Sequence, residues 1–131
     1  MGLIYLDSCM LIYAVEDRGD RGDAVRQQLK DPSIRAAISP LVVMECLVGP
    51  LKKDNLALRD QFTNVFSRCD MIMLGLPEFT RAAELRARHG LRNADALHLA
   101  AAQLNGCEAL WTNDSRLTAA SSGLAVDRLA H

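Results

Sequence analysis

At 131 residues, half of them hydrophobic, the chain is long enough for one domain that buries about two-thirds of its unfolded surface. Its formal net charge of −1 excludes a protein that coats nucleic acid through bulk charge, so a nucleic-acid partner would need a local basic patch. Cys9, Cys46, Cys69 and Cys107 show no C-x-x-C pair or zinc spacing, and no apolar stretch is long enough to span a membrane, so reduced buried thiols in a cytosolic protein are expected.

Leu3-Ile4-Tyr5-Leu6 is an apolar run with a β-branched residue and an aromatic, which predicts a strand buried on both faces in the middle of a parallel sheet, ending at Asp7. Met10 to Val15 follows as a helix, then Asp17 to Asp23 as a polar, glycine-containing loop. Ala24 to Lys30 reads as a helix that Asp31-Pro32-Ser33 stops, and Ile34 to Ile38 as the second strand. Ser39 at the N-cap and Pro40 in the first helical position open a helix that runs to Val48 and ends at Gly49-Pro50. Asn55 to Arg68 is amphipathic, with Leu56, Leu58, Phe62, Val65 and Phe66 on its apolar face. Met71 to Leu74 is the third strand, and Pro77 to Arg88 a helix closed by His89-Gly90. Asn93 caps the helix Ala94 to Ala102, which is apolar nearly all round and therefore belongs between layers. Ala109 to Thr112 is a short strand with Asn113-Asp114-Ser115 at its carboxyl end, and Leu124 to Val126 an edge strand. Strands alternating with helices predict an α/β protein, a three-layer α/β/α sandwich around a mostly parallel sheet, as a single domain over 1–131.

Asp7, Glu45, Asp95 and Asp114 are out of place in this pattern, each in or at the end of an apolar run. Burying an ionised carboxylate without a partner costs several kcal/mol. Lys30, Lys52 and Lys53 are the only lysines and none lies in these runs; of the arginines, Arg92 and Arg116 come closest. Private salt bridges for all four acids are therefore hard to build, whereas a shared Mg²⁺ or Mn²⁺ suits carboxylate oxygens. Singly, each acid has a plainer explanation: Asp95 as a first-turn cap, Asp7 and Asp114 as turn residues, Glu45 as a solvent-facing side chain. Their conjunction at the carboxyl edge of a parallel sheet carries the argument. Without a cation the converging charges would repel one another, so Asp95→Asn is expected to stabilise the metal-free fold. His98 reads as a satisfied, partly buried histidine rather than a ligand.

These residues resemble the PIN-domain nucleases, and among them the VapC-type toxins of bacterial toxin–antitoxin pairs. The matching pieces are Leu6-Asp7-Ser8; Ser39-Pro40-Leu41-Val42 followed by Glu45; Leu91 to Ala100, with Asp95 at its centre; and Thr112-Asn113-Asp114 with Leu117 behind it. Cys9 departs from the family, which often carries asparagine there. The resemblance implies an α/β/α sandwich that hydrolyses RNA phosphodiester bonds with one or two Mg²⁺ or Mn²⁺ ions. Asp7, Asp95 and Asp114 would be the principal metal ligands and Glu45 the fourth acid; Ser8 and Thr112 would orient the carboxylates. Arg92 and Arg116 flank these acids and would receive RNA phosphates. The resemblance also implies a homodimer and a small antitoxin that masks the acids, with Leu47, Leu51, Leu56 and Phe62 as apolar helix surface for such contacts.

Other readings fit less well. A receiver domain wants a lysine at a late strand end and adjacent acids after the first strand, but no lysine lies beyond Lys53 and Ser8-Cys9 follows Asp7. A haloacid-dehalogenase-type phosphatase wants Asp-x-Asp, which Cys9 denies. A PIN fold used only for binding has no need of all four acids.

Overall fold

The computed structural model describes residues 2–121 and 123–126. The strands are β1 (Gly2–Leu6), β2 (Ile34–Ile38), β3 (Asp70–Met71), β4 (Ala109–Trp111) and β5 (Ala125–Val126). They form one parallel sheet in the order β3-β2-β1-β4-β5, with Tyr5 in register with Ala37 on one side and Leu110 on the other. The helices are α1 (Ser8–Glu16), α2 (Asp20–Leu29), α3 (Pro40–Lys52), α4 (Leu56–Phe66), α5 (Leu76–His89), α6 (Asn93–Leu104) and α7 (Ser115–Ala120).

The order of the strands dictates the layers. From β1 the chain moves outward through β2 to β3, then crosses to the far side of β1 for β4 and β5. Right-handed crossovers in opposite directions put their helices on opposite faces. Accordingly α1 packs with α2, α3 and α4, while α6 packs with α5 and α7. The reversal falls between β1 and β4, so a crevice opens at their carboxyl ends, where ligands of such sheets bind. Tyr5, Leu6, Leu110 and Trp111 fill the sheet interior, and the small faces of Ala96, Ala100, Ala101 and Ala102 let α6 lie close against it.

Several boundaries differ from the sequence reading. The helix α3 continues through Gly49-Pro50 to Lys52, because a proline so near the end removes only one of the last backbone bonds, and the Pro50 carbonyl accepts from Asn55 N at 2.9 Å. The helix α2 starts at Asp20 inside the expected loop, and Gly22 serves close packing: a Cβ there would meet Asp17 O at 1.9 Å. Asn55 caps α4 by accepting from Leu58 N at 3.1 Å. The cap position of α6 is Arg92 rather than Asn93, and its side chain does not cap the helix. At the third strand only Asp70 and Met71 pair, although Ile72 N still reaches Ile38 O. The unforeseen α7 is capped by Asp114. Phe62 is fully buried, so it offers no surface for a partner, whereas Leu51 and Leu56 are exposed.

Among the described residues no helix is long and apolar enough to cross a membrane. All four cysteines are free, Cys46 and Cys107 buried and Cys9 and Cys69 partly so. Burial pushes the Cys9 and Cys46 thiols up to about 12 and those of Cys69 and Cys107 to about 11, which keeps them protonated.

Candidate active site

Asp7 follows β1 directly, and its N–H donates to Trp111 O at 3.1 Å, tying the ends of β1 and β4 together. It occupies the cap position of α1 without capping, so its carboxylate is free for other partners. Thr112 Oγ1 donates to Asp7 Oδ2 at 2.8 Å and accepts from Asp114 N at 3.0 Å. One buried hydroxyl thus fixes the Asp7 carboxylate and the backbone that carries Asp114. Ser8 Oγ contributes a longer contact to Asp7 Oδ1, 3.4 Å. The Cys9 thiol faces the same carboxylate, and desolvation followed by the Asp7 charge holds it in the neutral form.

Glu45 comes from the second turn of α3, and what meets it is His98 from α6. His98 Nε2 lies 2.6 Å from Glu45 Oε1 and 3.8 Å from Asp7 Oδ1. One ligand atom from each of Asp7, Glu45 and His98 lies within 4.8 Å of the other two. The other ring nitrogen, Nδ1, is 2.7 Å from Tyr5 OH, which is 2.8 Å from Ser39 Oγ. Ser39 stands at the cap position of α3, but its hydroxyl serves Tyr5 and not the helix. Desolvation pushes the Glu45 carboxyl up, yet the hydrogen bond and charge of His98, the Ser8 hydroxyl and the Arg92 charge outweigh it and hold the group below its usual value. Desolvation raises the Tyr5 phenol far above its ordinary range, so Tyr5 is a hydroxyl throughout.

Asp95 is buried in the first turn of α6, and Arg92 Nε donates to its Oδ2 at 2.9 Å. The same guanidinium reaches Asp114 Oδ2 at 3.6 Å, and Arg116 Nε lies 3.6 Å from Asp114 Oδ1. Asp114 also caps α7 by accepting from Arg116 N at 2.9 Å. The acids therefore fall into two groups, Asp7 with Glu45 around His98 and Asp95 with Asp114 around Arg92. The hydrogen bond to Asp95 and the charges of Asp95, Asp114 and Asp7 raise the Arg92 pKa, so its field spans both groups. Arg92 and Arg116, the arginines nearest the acids in the sequence, thus pair with Asp95 and Asp114, and one guanidinium serves both acids. His98 is satisfied as expected, but fully buried rather than partly. The sequence reading takes Tyr5 as a strand residue and Ser39 as a helix cap and misses their link to His98; the signal available is a tyrosine hydroxyl inside a strand buried on both faces, which must find a partner. A cavity of about 390 Å³ lined by Ala14, Leu29, Arg35, Val65 and Cys69 lies elsewhere and touches none of these acids.

Residues 4–122 match the PIN domain family, an interval that holds all four acids. A toxin–antitoxin complex from Klebsiella pneumoniae superimposes with a TM-score of 0.79 at 26% identity, covering 95% of this chain and 97% of that one. The crystal structure of VapBC2 from Rickettsia felis, bound to a DNA fragment from its promoter, gives 0.77 at 20% identity over 95% and 97%. VapC20 of Mycobacterium tuberculosis, described as a sarcin–ricin loop cleaving toxin, gives 0.75 at 14% identity over 89% and 94%. The last two show likeness of fold. No curated protein sequence matches the chain.

Proposed function

The chain belongs to the PIN-domain family, and from that premise we propose that it is a Mg²⁺- or Mn²⁺-dependent endoribonuclease, a single nuclease domain over residues 1–131 that acts in the cytoplasm as the toxin of a toxin–antitoxin pair. The observation that carries this reading is the buried Asp7 carboxylate, fixed by Thr112, with ligand atoms of Glu45 and His98 within 4.8 Å.

The donor set fits a hard divalent cation. Asp7 and Asp95 are buried carboxylates at the crevice between β1 and β4, and among the described residues the one basic side chain within 4 Å of Asp7 is His98, at 3.8 Å. Carboxylate oxygens suit Mg²⁺ or Mn²⁺ alike, while both ring nitrogens of His98 are engaged with Glu45 and Tyr5. Asp7, Glu45, Asp95 and Asp114 would hold the cation. When bound, it supplies Lewis acidity that makes water a better nucleophile at neutral pH and offsets charge on the phosphate. The chain's own residues do the rest. Thr112 and Ser8 hold Asp7 in orientation. Arg92 and Arg116 keep exposed guanidiniums beside Asp95 and Asp114, where RNA phosphates would meet them.

The likeness to a toxin–antitoxin complex supports a small antitoxin as partner, whose arginine would pair with the acids. Met44, Val48, Leu51 and Leu56 leave an exposed apolar stripe along α3 and into α4, which supports a homodimer. Light scattering at micromolar concentration tests the dimer, and a strict monomer would count against it.

The activity test is direct. The purified protein is expected to cleave RNA with Mg²⁺ or Mn²⁺ and to stop with chelator. Asp7→Asn is expected to lose more than the ~10–100-fold typical of a lost supporting hydrogen bond, with its circular dichroism unchanged. Metal-independent cleavage, or full activity in Asp7→Asn, overturns the assignment.

A further inference from the structure

We propose that Tyr5, Ser39 and His98 are positioning residues that aim Glu45 at the site, through a buried chain of hydrogen bonds from Ser39 to Tyr5 to His98 to Glu45. The proposal rests on the nuclease reading above and goes beyond it in naming residues outside the acidic set.

Glu45 needs such a device. Its flexible side chain is partly exposed, and Met44 and Val48 beside it on α3 face solvent. Without a fixed partner it would spread over several rotamers, most of them turned away from Asp7. His98 supplies the partner from another layer of the fold, 53 residues further along the chain, and it stands one turn after Asp95 on α6.

The polarity of the chain is set at the Glu45 end. An ionised carboxylate only accepts, so the 2.6 Å contact places the proton on His98 Nε2. With a neutral ring, Nδ1 then accepts from Tyr5 OH, and Tyr5 oxygen accepts from Ser39 Oγ–H. With a charged ring, Nδ1–H donates to Tyr5 oxygen, and Tyr5 OH donates to Ser39. Both arrangements aim Nε2–H at Glu45, so the device works whatever the charge of the imidazole. Tyr5 and Ser39 are fully buried and His98 nearly so, which leaves water no opening to replace any member. Tyr5 sits in β1 two residues before Asp7, so the strand that places Asp7 also anchors the chain that places Glu45.

The test uses the full chain and four variants, each first checked for a cooperative melt. Tyr5→Phe removes one hydroxyl and keeps the ring. His98→Leu keeps bulk without a donor, and His98→Gln restores an N–H near the position of Nε2. Ser39→Ala removes the far end. Mn²⁺ affinity is read by calorimetry, and kcat and KM are read on an RNA oligonucleotide. Tyr5→Phe and His98→Leu are expected to weaken Mn²⁺ binding and lower kcat by ~10–100-fold with KM for RNA unmoved. His98→Gln, which restores the N–H toward Glu45 but not the bond to Tyr5, should recover part of that loss, and Ser39→Ala should show the smallest effect.

If His98→Leu fails to fold, Tyr5→Phe carries the test. Folded Tyr5→Phe with wild-type Mn²⁺ affinity and kcat overturns the proposal. So does His98→Gln behaving no better than His98→Leu, since the ring nitrogen would then be needed for itself. A wild type that binds Mn²⁺ and cleaves no RNA refutes the nuclease reading, while the affinities still decide the positioning. A wild type that does neither overturns both.

Discussion

Glu45 and Asp95 meet their partners in opposite settings. Glu45 is held by His98, an almost wholly buried ring locked in place by Tyr5 and Ser39. Asp95 is itself buried, but its partner Arg92 keeps 66% of its side chain exposed and divides its charge between Asp95 and Asp114. A buried, hydrogen-bonded partner is screened little by salt and has nowhere else to go. An exposed guanidinium gives up little when it leaves, because water solvates it. The His98 side therefore reads as geometry and the Arg92 side as replaceable charge, the side on which an incoming cation or phosphate can trade places with the protein's own arginine.

The most damaging way to break that contrast is to remove the hydroxyl beneath both groups. Thr112→Val keeps the shape but leaves Asp7 Oδ2 and Asp114 N without their bonds. Each buried polar group left unmade costs roughly 1–3 kcal/mol, so a clear loss of stability in urea unfolding is expected. Mn²⁺ affinity and RNA cleavage should fall ~10–100-fold with it. A Thr112→Val protein with wild-type affinity would mean that the carboxylates hold their places unaided.

A smaller effect tests the His98 side by pH. Glu45 is held below its usual value of 4.5, the bond and charge of His98 with Ser8 and Arg92 prevailing over desolvation. A carboxylate with a depressed folded-state pKa contributes stability that is fully present above the unfolded value and is lost as pH falls through the folded one. The wild type should therefore exceed Glu45→Gln by a constant margin near neutrality, and the margin should shrink as pH drops from about 5 toward 3. Urea unfolding of both proteins across that range decides it. A margin that grows on acidification would mean that burial, and not His98, governs the group.

How much of this could be read from the chain follows from what each residue does locally. The strands β1 and β2 and the helices α4 to α6 are legible in the sequence because apolar patterning marks them and the His89-Gly90 stop agrees with it, although the caps Asn55 and Arg92 are not. The end of α3 was misread because Gly49-Pro50 is a stop signal by local rules, and here the helix overrides it for its last turn. The helix α7 was missed because Ser115 to Ala120 is too short to show a period. The four acids stood out because a charge in an apolar run is anomalous on its own. Tyr5, Ser39 and His98 did not, because each is compatible with its own run, and their pairings span 34 and 93 residues with no local signature.

The smallest expected effect concerns Asp95, and here the structure reverses a sign. Repulsion among unpaired acids would make Asp95→Asn stabilising without metal. The structure instead gives Asp95 a charged donor at 2.9 Å and a place in the first turn of α6, where the helix dipole favours an anion. Both interactions weaken when the charge is removed, while asparagine keeps the size and an acceptor oxygen. Both are small because the guanidinium is exposed to water and the dipole acts at a helix end, so Asp95→Asn is expected to lower the melting temperature in chelator by only a few degrees. Because Arg92 is exposed, the deficit should narrow in high salt. A double-mutant cycle with Arg92→Gln isolates the pair: the coupling should be favourable and small, and should fade with salt. A metal-free Asp95→Asn protein that melts above the wild type would mean that the acids repel one another more strongly than Arg92 relieves them.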